Sequence, residues 1–215
     1  MNTSSDLHWE EIYQAKGEQQ TSWFRSHLDE SLRWIDGLGL PAGAPLLDVG
    51  GGRSTLVDDL LARHFTDISV LDLSAAALAQ SRARLGERGD SVTWLPGDIT
   101  AVALPASHYA LWHDRAVFHF LIEADAQQHY VDAAARAVQP AGHAVIATFA
   151  EDGPERCSGL PVNRYSASML AARFAPCFEM LGHRRDVHRT PFDTDQIFTY
   201  VHLRRRPEAA GAPAL

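Results

Sequence analysis

The chain has 215 residues, of which 46% are hydrophobic and 21% charged, and its formal net charge is −8 with histidine neutral. This length and composition predict one globular domain, residues 1–206, followed by a disordered Ala/Gly/Pro-rich tail at 207–215. The negative charge disfavours nucleic acid and anionic membranes as partners, because both require clustered positive charge. Two cysteines and no apolar run approaching ~20 residues argue against a disulfide framework, a zinc pair and a membrane span. We therefore expect a cytoplasmic protein without a metal.

Two hydrophobic periodicities alternate along the chain, one typical of helices and one of buried strands. Helical spacing occurs at 28–38, 56–65, 74–85 and 127–138. Short apolar runs occur at 46–49, 68–73, 92–95, 109–112 and 144–149. Strands that alternate with helices predict an α/β fold, with a parallel sheet covered by helices on both faces.

The last part of the chain breaks this alternation. Two strand-like segments, Phe178–His188 and Ile197–Leu203, are joined by the eight residues 189–196, which leave no room for a helix. Such a pair predicts an antiparallel hairpin. We therefore expect a Rossmann-like, doubly wound sheet of seven strands, six of them parallel and the last antiparallel.

Ligands of open parallel sheets bind at the carboxyl ends of the strands, and the first strand ends in the glycine-rich segment Asp48–Ser54. A dinucleotide fingerprint is incomplete here, because Thr55 stands at the third glycine position counted from Gly50. Asp48 would repel a pyrophosphate. It suits a cationic ligand, such as one that carries an amino group and a sulfonium.

The second and third strands each end in an aspartate. Asp72 lies 20 residues after Gly52, where a carboxylate can accept hydrogen bonds from both hydroxyls of a ribose. Asp98 follows a Pro-Gly turn and can accept a hydrogen bond from an adenine amino group. The alternatives are a solvated or capping residue for Asp72 and an ordinary turn aspartate for Asp98.

Polar residues follow the fourth and fifth strands as well. His113, Asp114 and His119 are candidate general bases after the fourth strand. Arg115 cannot be a base, but it can pair with Asp114 or hold an anionic acceptor or the cofactor carboxylate. The Gly/Pro-containing loop 151–161 after the fifth strand is a candidate lid, in which Cys157 either contacts a soft acceptor or is a small buried thiol.

These motifs resemble the class I S-adenosylmethionine-dependent methyltransferases over roughly residues 5–204. The resemblance rests on Asp48-x-Gly50-x-Gly52, Asp72, Gly97-Asp98 and the terminal hairpin. It implies that the cofactor is S-adenosylmethionine and the product S-adenosylhomocysteine. Ser54 stands where a third glycine is common in that family. The cofactor-binding residues that the resemblance implies are Asp48, Gly50, Gly51, Gly52, Ser54, Asp72, Leu73, Asp98 and Ile99.

Two groups within that family are similar to the chain in a Trp-containing first helix and an acid–base pair after the fourth strand. One is the thiopurine and tellurite methyltransferases; the other is the lysine methyltransferases related to those that modify elongation factor 1A. Similarity to the first group implies that Tyr13 (or Trp23) and Arg115 touch the cofactor, beside His113. Residues 1–25 are then expected to form a lid, and Phe118 is expected, with Cys157, to contact the acceptor.

The sequence therefore favours methyl transfer to a nucleophilic atom of a small molecule, with thiols and metalloids among the candidate acceptors. Protein-lysine methylation is the first alternative, and a cofactor-binding module without turnover is the second. A nicotinamide-dependent dehydrogenase is disfavoured by the incomplete glycine fingerprint. We expect a monomer or a weak homodimer.

Overall fold

The computed structural model describes residues 3–15 and 21–207 of the chain. Within these ranges the chain forms six α-helices and nine β-strands. The helices are α1 (Thr3–Ala15), α2 (Asp29–Gly37), α3 (Leu56–Ala62), α4 (Ala75–Leu85), α5 (Ala124–Ala137) and α6 (Ala167–Phe174). The strands are β1 (Leu46–Val49), β2 (Ile68–Asp72), β3 (Val92–Pro96), β4 (Tyr109–Arg115), β5 (Val138–Phe149), β6 (Arg156–Cys157), β7 (Leu160–Pro161), β8 (Phe178–Arg189) and β9 (Asp195–Arg205).

Seven of the strands form one sheet in the order β3-β2-β1-β4-β5-β9-β8. The pairs from β3 to β5 are parallel, whereas β9 runs antiparallel to both β5 and β8. The prediction of six parallel strands and one antiparallel last strand is confirmed. In register, Val49 at the end of β1 lies opposite Leu71 and Asp114, so the ends of three strands meet at one edge.

The sheet is buried on both faces by apolar residues of the flanking helices. Helices α5 and α6 cover one face with Tyr130, Ala134, Leu170 and Phe174. Helices α2, α3 and α4 cover the other with Leu32, Ile35, Leu56, Leu60 and Leu78. Complete burial of such a side chain stabilises the fold by about 1.5–3 kcal/mol. Among the described residues, no helix is long and apolar enough to cross a membrane.

Helix α4 begins and ends as its sequence predicts. The Ser74 hydroxyl accepts a hydrogen bond from the Ala77 amide at 3.1 Å, which caps the N-terminus of the helix. Gly86 ends the helix with φ of +58°, a conformation that glycine adopts at little cost. These two caps set the position of α4 behind the end of β2.

Three features of the structure were not predicted. Helix α6 is only eight residues long, and its apolar residues Leu170 and Phe174 are fully buried. Strand β5 begins at Val138, directly after α5, because Val138 pairs with Tyr109 before a shift in register. The predicted lid loop contains the two-stranded ribbon β6–β7. The predicted tail at 207–215 lies, except for Pro207, outside the described residues.

Candidate active site

Two cavities open at the edge where the parallel strands end. The larger has a volume of about 770 Å³ and the smaller about 50 Å³. The larger volume falls in the roughly 300–1,000 Å³ range of small-molecule sites. Gly50 and Trp23 line both cavities, so the two spaces are neighbours separated by the glycine loop and one aromatic ring.

The glycine loop follows β1 in a conformation that needs glycine. Gly50 has φ of +69°, and a Cβ there would lie 2.0 Å from Cγ2 of Val117. A Cβ on Gly52, whose φ is +39°, would lie 2.8 Å from the Tyr13 hydroxyl and 2.9 Å from Oδ2 of Asp72. The loop is therefore held against the first helix, the second strand and the segment after β4, with no room for a Cβ at Gly50 or Gly52.

One carboxylate oxygen of Asp48 has a hydrogen-bond partner and the other has none within the described residues. Its Oδ1 accepts a hydrogen bond from Nδ1 of His113 at 2.7 Å, since a carboxylate can only accept. Nε2 of His113 lies 2.9 Å from the Ser31 hydroxyl. Oδ2 of Asp48 is buried without a partner among the described residues. His113 lines the smaller cavity but is only 1% exposed. Because both of its ring nitrogens have partners, it orients Asp48.

Arg115 lines the smaller cavity with an incompletely bonded guanidinium. Its Nη1 makes a long contact of 3.5 Å with the Trp23 carbonyl, and its Cζ lies 4.3 Å from the ring centroid of Phe198. Its Nε and Nη2 atoms are buried and have no hydrogen-bond partner in the described part of the chain. A buried guanidinium without an acceptor is costly, so this side of the cavity is suited to an anion.

Asp114 departs from the sequence-based expectation, because it does not line either cavity. Its oxygens accept hydrogen bonds from the amides of Val117 at 2.8 Å and Phe118 at 3.0 Å, and from the Tyr130 hydroxyl at 2.5 Å. Burial raises the pKa of its carboxyl to about 6. Asp114 therefore holds the turn after β4 and does not pair with Arg115.

His119 and Phe118 are also inside the protein. The His119 ring is fully buried, accepts a hydrogen bond from the Phe149 amide at 3.2 Å, and has a pKa that burial lowers to about 3. Phe118 packs in the core against Tyr130 and Phe174. Neither residue lines either of these two cavities, so the expected roles as base and acceptor contact do not fit their positions. Short apolar sequences such as 118–120 do not reveal which side chain turns inward.

The other predicted cofactor residues lie around the larger cavity. Asp72, Leu73, Asp98 and Ile99 line it. Asp72 accepts a hydrogen bond from the Ser74 amide at 2.8 Å, and burial raises the pKa of its carboxyl to about 7. Oδ1 of Asp98 accepts from the Thr100 amide at 2.8 Å. Ser54 and Gly51 line the smaller cavity instead, where Ser54 also accepts a hydrogen bond from the Leu56 amide.

Helix α1 lies across the larger cavity. Glu10 accepts a hydrogen bond from the Ser74 hydroxyl at 2.6 Å, which ties α1 to the start of α4. Trp9 and Tyr13 line the cavity, and the Trp9 ring makes edge contacts with Trp23 at 5.7 Å and Phe120 at 5.1 Å. Residues 16–20, within the predicted lid, lie outside the described residues.

The β6–β7 ribbon closes the same cavity from the opposite side. Cys157, Leu160 and Pro161 line it, and Nε2 of His8 lies 3.1 Å from the Ser158 carbonyl. Burial raises the pKa of the Cys157 thiol to about 11, so this thiol is neutral near pH 7. Cys157 was predicted from the sequence as a site residue of this ribbon, whereas Leu160, Pro161 and Phe120 were not. A loop of mixed composition gives no periodic signal for them.

Arginines of distant segments also meet at the smaller cavity. Arg25 and Arg53 line it together with Arg115. The Arg53 guanidinium lies 4.9 Å from the ring centroid of Tyr13. Only the packing of the chain brings these cations together, since they are far apart in sequence. In the described part of the chain, no group of His, Cys, Asp or Glu side chains is arranged to hold a metal ion.

A sheet of this order, with a glycine loop after β1 and acidic residues after β2 and β3, defines a class I methyltransferase fold. Residues 46–142 match the family model of a methyltransferase domain. The segment 46–142 therefore carries a methyltransferase domain, which supports the resemblance found in the sequence.

Solved structures show the same fold along nearly the whole chain. One, described as "Conversion of a Disulfide Bond into a Thioacetal Group during Echinomycin Biosynthesis", is 19% identical, with a TM-score of 0.78 over 96% of this chain and 94% of that chain. Another is the 1,6-didemethyltoxoflavin-N1-methyltransferase of Burkholderia thailandensis with bound 1,6-didemethyltoxoflavin and S-adenosylhomocysteine. It is 19% identical, with a TM-score of 0.68 over 94% of this chain and 84% of that chain.

A curated relative is similar over a shorter segment. EEF1A lysine methyltransferase 2 of Mus musculus is 26% identical over 90 residues, which are 38% of this chain and 37% of that protein. The match thus spans little more than a third of the relative's length.

Proposed function

We propose that the protein is an enzyme that transfers a methyl group from S-adenosylmethionine to a nucleophilic atom of a small molecule. The proposal is carried by the buried polar atoms at the smaller cavity that lack hydrogen-bond partners within the described residues. Arg115 has two buried donors without acceptors, and Asp48 has one buried acceptor without a donor. An α-amino acid end, with its carboxylate and ammonium, complements both.

The larger cavity suits the adenosine part of the same ligand. Asp72 is positioned for the ribose hydroxyls and Asp98 for the adenine amino group, with Leu73 and Ile99 available to the ring faces. Because Gly50 and Trp23 line both cavities, a ligand that fills both has its central sulfur beside these two residues. The residues present therefore fit S-adenosylmethionine.

When bound, the cofactor supplies a methyl carbon that its sulfonium has already activated. The chain supplies orientation and exclusion of water. Asp114 fixes the amide of Val117, whose side chain packs on Gly50. Trp9, Trp23 and Phe120 surround the space beside these residues with aromatic rings. Holding two reacting atoms at near-attack distance, roughly 3–3.5 Å, can supply several kcal/mol of the barrier reduction.

A small acceptor is favoured by the cover over the larger cavity. Helix α1 and the β6–β7 ribbon approach each other through His8 and Ser158, which restricts access for a folded protein. Protein-lysine methylation is the second candidate, and the similarity to the murine lysine methyltransferase supports it. No feature of the described residues selects a metalloid acceptor.

The distinguishing experiment uses S-adenosylmethionine labelled on its methyl group and a cell extract separated by size. With the purified protein added, label is expected in the small-molecule fraction. Label in a protein band that resists digestion with nuclease would favour lysine methylation. Absence of label from both fractions, together with absence of S-adenosylhomocysteine binding in calorimetry, would contradict the proposed function.

A further inference from the structure

A segment without helix or strand, residues 21–28, covers the smaller cavity. Four of its residues line that cavity: Thr21, Trp23, Phe24 and Arg25. Trp23 also lines the larger cavity, so the segment lies beside both the amino acid end and the central sulfur of the cofactor in its proposed position. Because the segment has no regular secondary structure, its position depends on contacts with other parts of the chain.

His188, the next to last residue of β8, makes two of these contacts through one buried ring. Its Nδ1 lies 2.6 Å from Nε of Arg25, and its Nε2 lies 2.7 Å from the carbonyl oxygen of Ser22. The residue is fully buried. Trp23 stands between these two partners in the sequence, and its carbonyl contacts Nη1 of Arg115. The ring of His188 therefore holds the segment on both sides of Trp23.

The partners of the His188 ring determine where its proton lies. A guanidinium can only donate, so Nδ1 accepts from Arg25; a carbonyl can only accept, so Nε2 carries the proton and donates to Ser22. Burial lowers the pKa of the ring to about 4, and the charge of Arg115 acts in the same direction. The ring is therefore neutral near pH 7, and both of its nitrogens are engaged.

Arg25 connects β8 to the residues that follow the glycine loop. Its Nη2 donates a hydrogen bond to the Val187 carbonyl at 3.0 Å and lies 3.2 Å from Oδ2 of Asp186. Its own carbonyl accepts a hydrogen bond from the Thr55 hydroxyl at 3.1 Å. Since Thr55 also lines the smaller cavity, the contacts of His188 and Arg25 extend from the terminal hairpin to the proposed cofactor site.

We propose that His188 is a positioning residue for the cofactor, which holds Trp23 and Arg25 over the smaller cavity. The proposal rests on the proposed function, because it assumes that the amino acid end of the cofactor fills this cavity. The hairpin of β8 and β9 then contributes to cofactor binding, although none of its residues lines either cavity. A segment that is already in place does not reduce the apparent affinity, whereas a displaced segment reduces it by the fraction of molecules that remain competent.

The test compares two ligands by calorimetry near pH 7, S-adenosylhomocysteine and 5′-methylthioadenosine, of which the second lacks the amino acid end. His188→Leu removes both hydrogen bonds and keeps an apolar side chain in the buried position. Its affinity for S-adenosylhomocysteine should fall at least about tenfold, because the loss of two hydrogen bonds is sufficient to leave the segment displaced most of the time. Its affinity for 5′-methylthioadenosine should stay within about threefold, since this ligand does not reach the smaller cavity.

Cleavage by trypsin after Arg25 reports the position of the segment without any ligand. In His188→Leu this cleavage should be at least about fivefold faster than in the wild-type protein, because local opening costs less when two hydrogen bonds are lost. S-adenosylhomocysteine should slow it. His183→Leu replaces an exposed histidine of the same strand and is the matched control, for which both affinities and the cleavage rate should be unchanged.

Two conservative variants separate the two contacts of the ring. His188→Asn keeps an acceptor at the position of Nδ1, and His188→Gln keeps a donor at the position of Nε2. Each should recover part of the affinity that His188→Leu loses. If His188→Leu does not fold, these two variants decide, and each should still bind S-adenosylhomocysteine at least about threefold more weakly than the wild-type protein.

Unchanged S-adenosylhomocysteine affinity in the folded variants would overturn the proposal, whatever the rate of cleavage. An equal loss of affinity for both ligands would also overturn it, because that pattern indicates a general effect on the fold. The wild-type protein separates this proposal from the proposed function. If it does not bind S-adenosylhomocysteine, the proposed function is contradicted; if it binds and the variants bind equally well, only the role of His188 is contradicted.

Discussion

Asp114 and Arg115 are adjacent on β4, yet they belong to different regions of the molecule. Successive side chains of a strand point to opposite faces. Asp114 lies with Trp112 and Tyr130 on the face covered by α5, and all its contacts are made within the protein. Arg115 lies on the face of His113, next to a cavity, and two of its donors have no acceptor.

The difference separates a structural carboxylate from a ligand-binding cation. Both side chains are polar and stand at the end of a buried strand, so their sequence context is the same. Their hydrogen bonding distinguishes them, because native proteins rarely leave buried polar groups unpaired. A buried polar group whose hydrogen bonds are all made within the protein stabilises the fold. A buried polar group that lacks partners within the protein is suited to bind a ligand.

Replacing Arg115 should produce the largest effect on ligand binding. Two charge-assisted hydrogen bonds at about 1.5–3 kcal/mol each predict a loss of S-adenosylhomocysteine affinity on the order of a hundredfold in Arg115→Ala. Binding of 5′-methylthioadenosine, which lacks the amino acid end, should change little. Calorimetry with both ligands measures the contrast.

Two further variants control for charge and geometry. Arg115→Lys should recover only part of the affinity, because the planar guanidinium is lost. Arg185→Ala removes an exposed arginine that pairs with Asp152 and should leave both affinities unchanged. An equal loss of affinity for both ligands in Arg115→Ala would indicate that Arg115, like Asp114, has a structural role.

Replacing Asp114 should instead affect stability. Asp114→Ala leaves the Val117 and Phe118 amides and the Tyr130 hydroxyl without an acceptor. At about 1–3 kcal/mol for each buried group, the free energy of unfolding should fall by about 3 kcal/mol or more. Urea denaturation measures this change, and Asp114→Asn, which keeps one carbonyl acceptor, should be intermediate. A stable Asp114→Ala protein with strongly reduced ligand affinity would place Asp114 in the site after all.

Asp72 is buried within the protein and also lines the larger cavity. Its contribution to the stability of the fold should therefore depend on pH. Burial raises its folded pKa to about 7 from an ordinary 3.8. A raised pKa favours the protonated folded state, so this stabilising contribution is lost as the pH rises from about 4 through about 7. Asp72→Asn should therefore melt at a higher temperature than the wild-type protein at pH 8, but not at pH 4. Its S-adenosylhomocysteine affinity should fall at least tenfold. A melting difference that is independent of pH would show that Asp72 is not buried as a titrating group.

The sheet and the edge at which its parallel strands end could be predicted from the sequence, because both depend on hydrophobic periodicity and on the turn residues that follow each strand. The runs ending at Val49 and Asp72 are short and apolar, and the glycines after β1 mark the turn. The hairpin of β8 and β9 was predictable because the connecting segment is too short for a helix. These are local properties of the chain.

The walls of the site were less predictable, because they depend on contacts between distant segments. The pattern of residues 113–119 does not show which side chains turn inward, and four of the predicted functional residues there are buried: His113, Asp114, Phe118 and His119. Phe120 and Leu160 come together with Trp9 only through the packing of α1 against the ribbon. Helix α6 was missed because a helix of eight residues contains only two fully buried apolar positions.

Cys157 should show the smallest effect, although it lines the larger cavity. The residue is 6% exposed and its thiol has a pKa raised to about 11, so the thiolate that reacts with disulfide reagents is scarce at pH 8. The folded protein should leave Cys157 unmodified by 5,5′-dithiobis(2-nitrobenzoate), and urea should expose it. In Cys157→Ala, turnover of the acceptor labelled in the cell extract should stay within about threefold, because the buried thiol is protonated near neutral pH and is not expected to react. Rapid modification of the folded protein, or a loss of turnover on the order of 10²-fold, would show that the thiol takes part in the reaction.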